Sequence, residues 1–137
     1  MGVSAAVVRD EIARLEAEGV IVKYSALINW DKAGDDCVTA HIDVKVLPQR
    51  DLGFDQIAER IYRFPEVSSV SLMSGGYDLS VVVQGRTMKE VALFVAEKLA
   101  PIENVQSTTT HFLLRRYKMD GVILADDSGD KRLVVTP

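Results

Sequence analysis

A lone cysteine, Cys37, in a chain of 137 residues excludes an intramolecular disulfide. The two histidines form no cluster at zinc-ligand spacing, so no metal is expected and the fold must hold without staples. A reducing, cytoplasmic setting follows. Long hydrophobic runs are missing too. Stretches such as 81–83 and 112–114 fall far short of the roughly 20 residues that cross a bilayer, and Met1-Gly2-Val3 starts no signal peptide, so no membrane partner is expected. Ala6 stands where a myristoylation signal wants Ser or Thr. Basic excess is absent: sixteen Lys+Arg against twenty Asp+Glu give a formal charge of -4 and a pI near 5.1. The chain as a whole therefore lacks the footprint of a nucleic-acid binder, and any DNA contact must come from a local patch. No catalytic triad, phosphate loop or dinucleotide fingerprint occurs, so neither a cofactor nor catalysis is expected.

What is present is ordinary for a folded domain: 47% hydrophobic and 26% charged residues, at a length that allows roughly two-thirds of the unfolded surface to be buried. Ser4 can cap a helix carrying Val7, Val8, Ile12 and Leu15 on one side, and Gly19 can end it. The β-branched and aromatic residues of 20–28 favour a strand, and 29–36, with Asp31, Gly34, Asp35 and Asp36, reads as a linker. From Cys37 to Val46 apolar Val38, Ala40, Ile42, Val44 and Val46 alternate with Thr39, His41, Asp43 and Lys45, which is a strand with one buried face. A break over 48–53 precedes a helix with Phe54, Ile57, Ala58 and Ile61 at helical spacing, stopped by Pro65. Residues 67–73 and the run through Leu79, Val81 and Val83 form a hairpin about a tight turn at Gly75-Gly76. Thr87 and Glu90 make a capping box for a helix with Met88, Val91, Ala92, Val95 and Leu99 inward, and 104–117 is the fourth strand.

The order β-α-β-β-α-β over 37–118 predicts an α+β, ferredoxin-like domain with an antiparallel sheet of strand order 4-1-3-2, both helices covering one face. The other face is left bare, lined by the polar residues of the first strand and by Ser, Thr, His and some large apolar groups from the other strands. Such a face finds a partner, most cheaply a second copy. The tail, 119–137, reads as two short strands, 122–124 and 133–135, about an acidic loop at 126–130 that lacks the full spacing of a calcium site.

Candidate functional residues are few. His41 and His111 lie on neighbouring strands and can approach across the bare face, as interface imidazoles or, in an enzymatic alternative of the dimeric α+β barrel type, as a titratable pair. Gly75 and Gly76 mark backbone that needs positive φ or close approach, and no helix follows them to bind phosphate. Asp78 is either a turn residue satisfying backbone amides or a carboxylate for a ligand ammonium. Thr108, Thr109 and Thr110 are strand formers whose hydroxyls can hold a polar ligand. Arg9 and Arg14 are most simply solvated, since residues 1–24 carry three basic and four acidic side chains.

Several blocks resemble one family. Residues 8–16 (VRDEIARLE) with Gly19-Val20-Ile21, then 24–28 (YSALI), Phe64-Pro65-Glu66-Val67 and Ser74-Gly75-Gly76-Tyr77-Asp78-Leu79 are similar, in the same order, to the Lrp/AsnC feast-famine transcription regulators. The resemblance spans nearly the whole chain. It implies that 1–28 is the recognition helix and linking strand of a helix-turn-helix unit, with Ser4, Arg9 and Arg14 toward DNA, and that 37–118 is an amino-acid-responsive, oligomerising effector domain. A complete helix-turn-helix needs two more helices before this one, where only Met1 to Val3 precede Ser4. DNA binding is accordingly expected only in a form with the complete unit, and the isolated helix is expected to order against a neighbouring chain. A stand-alone amino-acid-sensing module is the remaining alternative. The resemblance also implies a homodimer, possibly an octamer, and an effector site at Gly75, Gly76, Tyr77 and Asp78, joined by Thr108, Thr110, His111 and Phe112. In that site glycine amides would take the effector's carboxylate and Asp78 its ammonium.

Overall fold

The computed structural model describes residues 2–47 and 53–125. The chain divides into two units, Met1–Ala33 and Gly34–Pro137. In the first, helix α1 (Ala5–Ala17) starts where the Ser4 hydroxyl accepts the Val7 N–H. It ends in a Schellman turn: Gly19 takes φ +74°, and the Val20 N–H reaches back to the Leu15 carbonyl at 2.9 Å. The α1 helix buries none of its residues. The expected strand over 20–28 does not form, because strand structure needs a ladder partner and the segment has none among the described residues, with Val22 87% and Tyr24 68% exposed. Within the expected linker, Trp30–Ala33 makes one helical turn, α2.

The second unit is built on a four-stranded antiparallel sheet. Its strands are β1 (Val38–Val46), β2 (Val67–Leu72), β3 (Leu79–Gly85) and β4 (Val105–Phe112), in the order β2-β3-β1-β4. This is the expected 4-1-3-2 topology. Alternation along β1 and β3 buries Ala40, Ile42, Val44, Val46, Leu79, Val81 and Val83. Against them pack Ile57 and Ile61 of helix α3 (Phe54–Tyr62), and Val91, Phe94 and Leu99 from helix α4 (Met88–Phe94) and the wide turn that continues it. Gly85 is what lets α4 come close, since a Cβ there would stand 3.0 Å from the Val91 side chain.

Five expectations change in detail. Helix α4 passes into a π-helical turn at Val95–Leu99, closed by an Ala100 N–H to Val95 carbonyl bond of 2.8 Å. In the regular helix before it, Val91 and Phe94, three apart, face the core, while Met88 and Ala92 are exposed; the extra residue of the wide turn then brings Leu99 back to the core side. The β2–β3 connection is the loop Met73–Asp78, closed by a Met73 N–H to Asp78 carbonyl bond of 2.8 Å, and not a two-residue turn. Strand β4 stops at Phe112, five residues before Tyr117, once β1 no longer lies beside it beyond the Leu113 N–H to Thr39 carbonyl bond. In the tail, Val122–Ile123 (β6) pairs with Lys118–Met119 (β5) about Asp120-Gly121, both at positive φ. The expected strand 133–135 and the loop 126–130 lie outside the described residues, as does most of the break after β1. Finally, register puts Ser69, Ser71, Ser80, Val82, Gln84, Ser107, Thr109 and His111 on the sheet face away from the helices, beside Thr39, His41, Asp43 and Lys45. Within the paired strands that face is mostly polar, with Val82 as its large apolar residue.

Candidate functional site

The Met73–Asp78 loop is open at its tip and fixed at its base. Gly75 sits at φ +141°, a conformation L residues avoid, whereas Gly76 does not. A Cβ built on either glycine meets nothing within 4 Å, so the backbone is accessible to an approaching group. At the base, the Asp78 N–H donates to the Val44 carbonyl at 3.0 Å, and the Asp78 carboxylate accepts the Val46 N–H through Oδ2 at 2.8 Å. Asp78 thus serves its own backbone, tying the end of β1 to the start of β3. Its second oxygen, Oδ1, makes no hydrogen bond among the described residues. Tyr77 is half-buried beside it.

The fourth-strand candidates divide between two faces. Thr108, Thr110 and Phe112 pair with Val44, Ile42 and Ala40, hence lie on the helix side, whereas His111 pairs with His41 on the bare side. Thr108 shares a row with Leu79, with Val44 between them, which puts it two strand spacings, about 10 Å, from the start of β3. His111 and Phe112 lie three and four residues further along β4, about 10–13 Å from that row. One chain therefore brings together Gly75, Gly76, Tyr77 and Asp78, with Thr108 nearby, and does not bring His111 and Phe112 to them.

On the bare face His111 Nε2 lies 3.0 Å from Asp43 Oδ2, across the diagonal from its direct partner His41. Asp43 was not among the residues singled out from sequence; the signal was its place two residues after His41 in an alternating strand. The Val46 N–H acceptor role of Asp78 was likewise readable only as an unspecified turn contact, because the register that brings β1 to it is set by the whole sheet.

In the first unit, Ser4 is occupied in capping α1. Arg14 pairs at 2.9 Å with Glu18, the C-cap of its helix, and with Glu11 one turn back. That bond holds the Glu11 carboxyl below its ordinary range, and the two carboxylates reinforce the charge of Arg14. A phosphate would have to compete with them for the guanidinium. Arg9 is exposed. At the start of the second unit, Asp35 pushes the exposed Cys37 thiol up, which makes it a poorer nucleophile at neutral pH. Among the described residues no cluster of His, Cys, Asp and Glu is suited to a metal, and no helix is long and apolar enough to cross a membrane.

Comparison with known proteins gives a consistent result. The Lrp/AsnC ligand binding domain is matched over residues 39–123. The chain is 56% identical over 131 residues to the HTH-type transcriptional regulator YugG of Bacillus subtilis, covering 95% of this chain and 79% of that protein. It is 38% identical over 106 residues to an HTH-type transcriptional regulator of Pyrococcus horikoshii, covering 77% and 65% respectively. Among solved structures it is similar to E. coli AsnC, with a TM-score of 0.70 at 20% identity over 88% of this chain and 79% of that one. It is similar also to a feast or famine regulatory protein from M. tuberculosis complexed with L-methionine, with a TM-score of 0.71 at 22% identity over 90% and 81%. Those two likenesses speak for the fold.

Proposed function

The chain belongs to the Lrp/AsnC family, and from that premise we propose that it is the effector-binding, self-associating part of an amino-acid-responsive transcription regulator, cytoplasmic and without a catalytic role. The observation that carries this reading is the Met73–Asp78 loop, fixed at Asp78 and open at Gly75 and Gly76, inside the matched domain. An α-amino acid presents a carboxylate and an ammonium a few ångströms apart. Backbone amides near the glycines suit the first, and Asp78 Oδ1 suits the second. The similar M. tuberculosis protein complexed with L-methionine supports an amino acid as the ligand class. In this reading Thr108 flanks the ligand; Thr110, His111 and Phe112 are held too far away by their own chain, and of these His111 lies on the bare face, from which a ligand at a second copy can be reached.

The bare sheet face and the unladdered segment 20–28 are the surfaces for that second copy, with a homodimer as the minimum assembly and larger rings, up to an octamer, as its extension. Helix α1, with Ser4, Arg9 and Arg14, is assigned to the DNA-facing unit, which acts within a complete helix-turn-helix. Two measurements test the proposal. Calorimetric titration with a panel of amino acids is expected to find at least one that binds below millimolar concentration; none doing so removes the effector assignment. Light scattering at micromolar concentration is expected to show a dimer or larger species, and a 15.1 kDa monomer overturns the assembly assignment.

A further inference from the structure

The sequence contains two histidines, and the fold places them as direct cross-strand partners: His41 on β1 faces His111 on β4. Both are on the sheet face that the helices leave uncovered, and both are exposed. Imidazole is the side chain that ordinarily gains its charge between pH 8 and 5. Both histidines of the sequence are gathered at one point of one surface.

The other groups on the face decide what protonation does. β1 contributes Asp43, which holds His111 at 3.0 Å, and Lys45. From β3 come Ser80, Val82 and Gln84, from β2 Ser69 and Ser71, and from β4 Ser107 and Thr109, none of which is charged. With neutral imidazoles, Asp43 and Lys45 cancel. With both imidazoles protonated, the single carboxylate is outnumbered three to one, and the face carries a net charge of two positive units. Two copies meeting through this face by a two-fold axis bring identical patches together. The facing surfaces are then neutral while the imidazoles are unprotonated, and together carry four uncompensated positive charges once they are protonated, in a setting from which water has been removed.

We propose that the His41–His111 pair, with Asp43, is a proton-sensitive release for self-association: the chain associates through its bare face at neutral and alkaline pH and separates as the pH falls through the range where imidazole protonates. The proposal rests on the assembly reading above and adds its regulation. The sign is fixed by linkage. A proton that binds more readily to the separated chain than to the assembled one favours separation on acidification, by about tenfold in the dissociation constant per pH unit for each proton taken up.

Sedimentation of the full chain at pH 8, 7, 6 and 5.5, with far-ultraviolet circular dichroism at each pH to register folding, tests it. The same series is run on His41→Gln, His111→Gln and the double variant, all at exposed positions. Expected is a wild-type dissociation constant that rises at least tenfold between pH 7 and 5.5 with unchanged dichroism, a weaker rise in each single variant, and a flat profile in the double variant. A wild type associated equally at pH 8 and 5.5, or a double variant that separates in acid as the wild type does, overturns the switch and leaves the assembly reading standing. A monomer at pH 8 overturns both.

Discussion

At the residue scale Asp78 holds two roles that substitution can separate. Asp78→Ala strips the Val46 N–H of its acceptor, at a cost of about 1–3 kcal/mol for a partly buried donor left unmatched, and removes the ammonium contact as well. Asp78→Asn keeps an oxygen for Val46 and loses only the charge. Urea midpoints are expected to fall for Ala and stay close to wild type for Asn. Amino-acid affinity is expected to fall about ten- to a hundredfold for both, the equivalent of one charge-assisted contact. An Asn variant that binds as tightly as wild type confines Asp78 to its backbone role. The sequence offered both roles and could not rank them, because the distinction lies in which amide the carboxylate meets, set by β1 more than thirty residues away. Gly85 gives a second prediction at this scale. Gly85→Ala pushes a methyl to 3.0 Å from Val91 and is expected to cost about 1–3 kcal/mol. Adding Val91→Ala makes room for it, so a double-mutant cycle is expected to show strong non-additivity, and additive losses would mean the two groups are not in conflict.

Elements were legible where local chemistry and tertiary context agree. The Thr87 hydroxyl does accept the Glu90 N–H at 3.0 Å, although the Glu90 carboxylate turns to the Arg86 N–H and not to Thr87, a variant of the expected capping box. Alternation in β1 and β3 gave their buried faces residue by residue. One element was misjudged for a physical reason. Residues 20–28 have strand composition without a ladder, and composition alone says nothing about a partner. The Asp120-Gly121 pair is a strong hairpin signal, and about it Val122–Ile123 pairs with Lys118–Met119. Caps also permit a comparison between the two units. Thr87→Ala is expected to lower the unfolding free energy of the sheet domain by about 1 kcal/mol, whereas Ser4→Ala, on a helix that buries nothing, is expected to leave that transition unmoved. Thermal unfolding followed by near-ultraviolet signals from the sheet domain distinguishes them; equal losses would show that α1 is part of the same cooperative unit.

At the scale of the whole molecule, strand order was legible because right-handed crossovers leave one solution for β-α-β-β-α-β. Which side chains share a site was not. Thr108, Thr110, His111 and Phe112 look like one block in sequence, but strand geometry sends His111 to the opposite face from the other three. Net charge carries a prediction at this scale. With an overall charge of -4 and Arg14 engaged by two carboxylates, the 137-residue chain is expected to bind duplex DNA no tighter than about 10⁻⁴–10⁻⁶ M at physiological salt and without sequence preference. Gel-shift titration against specific and scrambled duplexes checks this, and sub-micromolar discrimination would overturn it.

The π-helical turn at Val95–Leu99 also bears on how the chain tolerates changes in length. Phe94 and Leu99 both reach the core although five positions separate them, a spacing an ordinary α-helix would send to different sides. One residue of that turn is surplus to a regular helix. Removing the exposed Glu97 would leave a four-residue interval, which α-helical geometry brings back to one side, and would draw the following segment along the axis by about 1.5 Å. Here a deletion, ordinarily the harshest of single changes inside a helix, is expected to be absorbed with both core contacts kept, while deleting Ala92 in the preceding regular turn would throw Val91 and Phe94 out of phase. The helix holds a spare position that a one-residue deletion can spend.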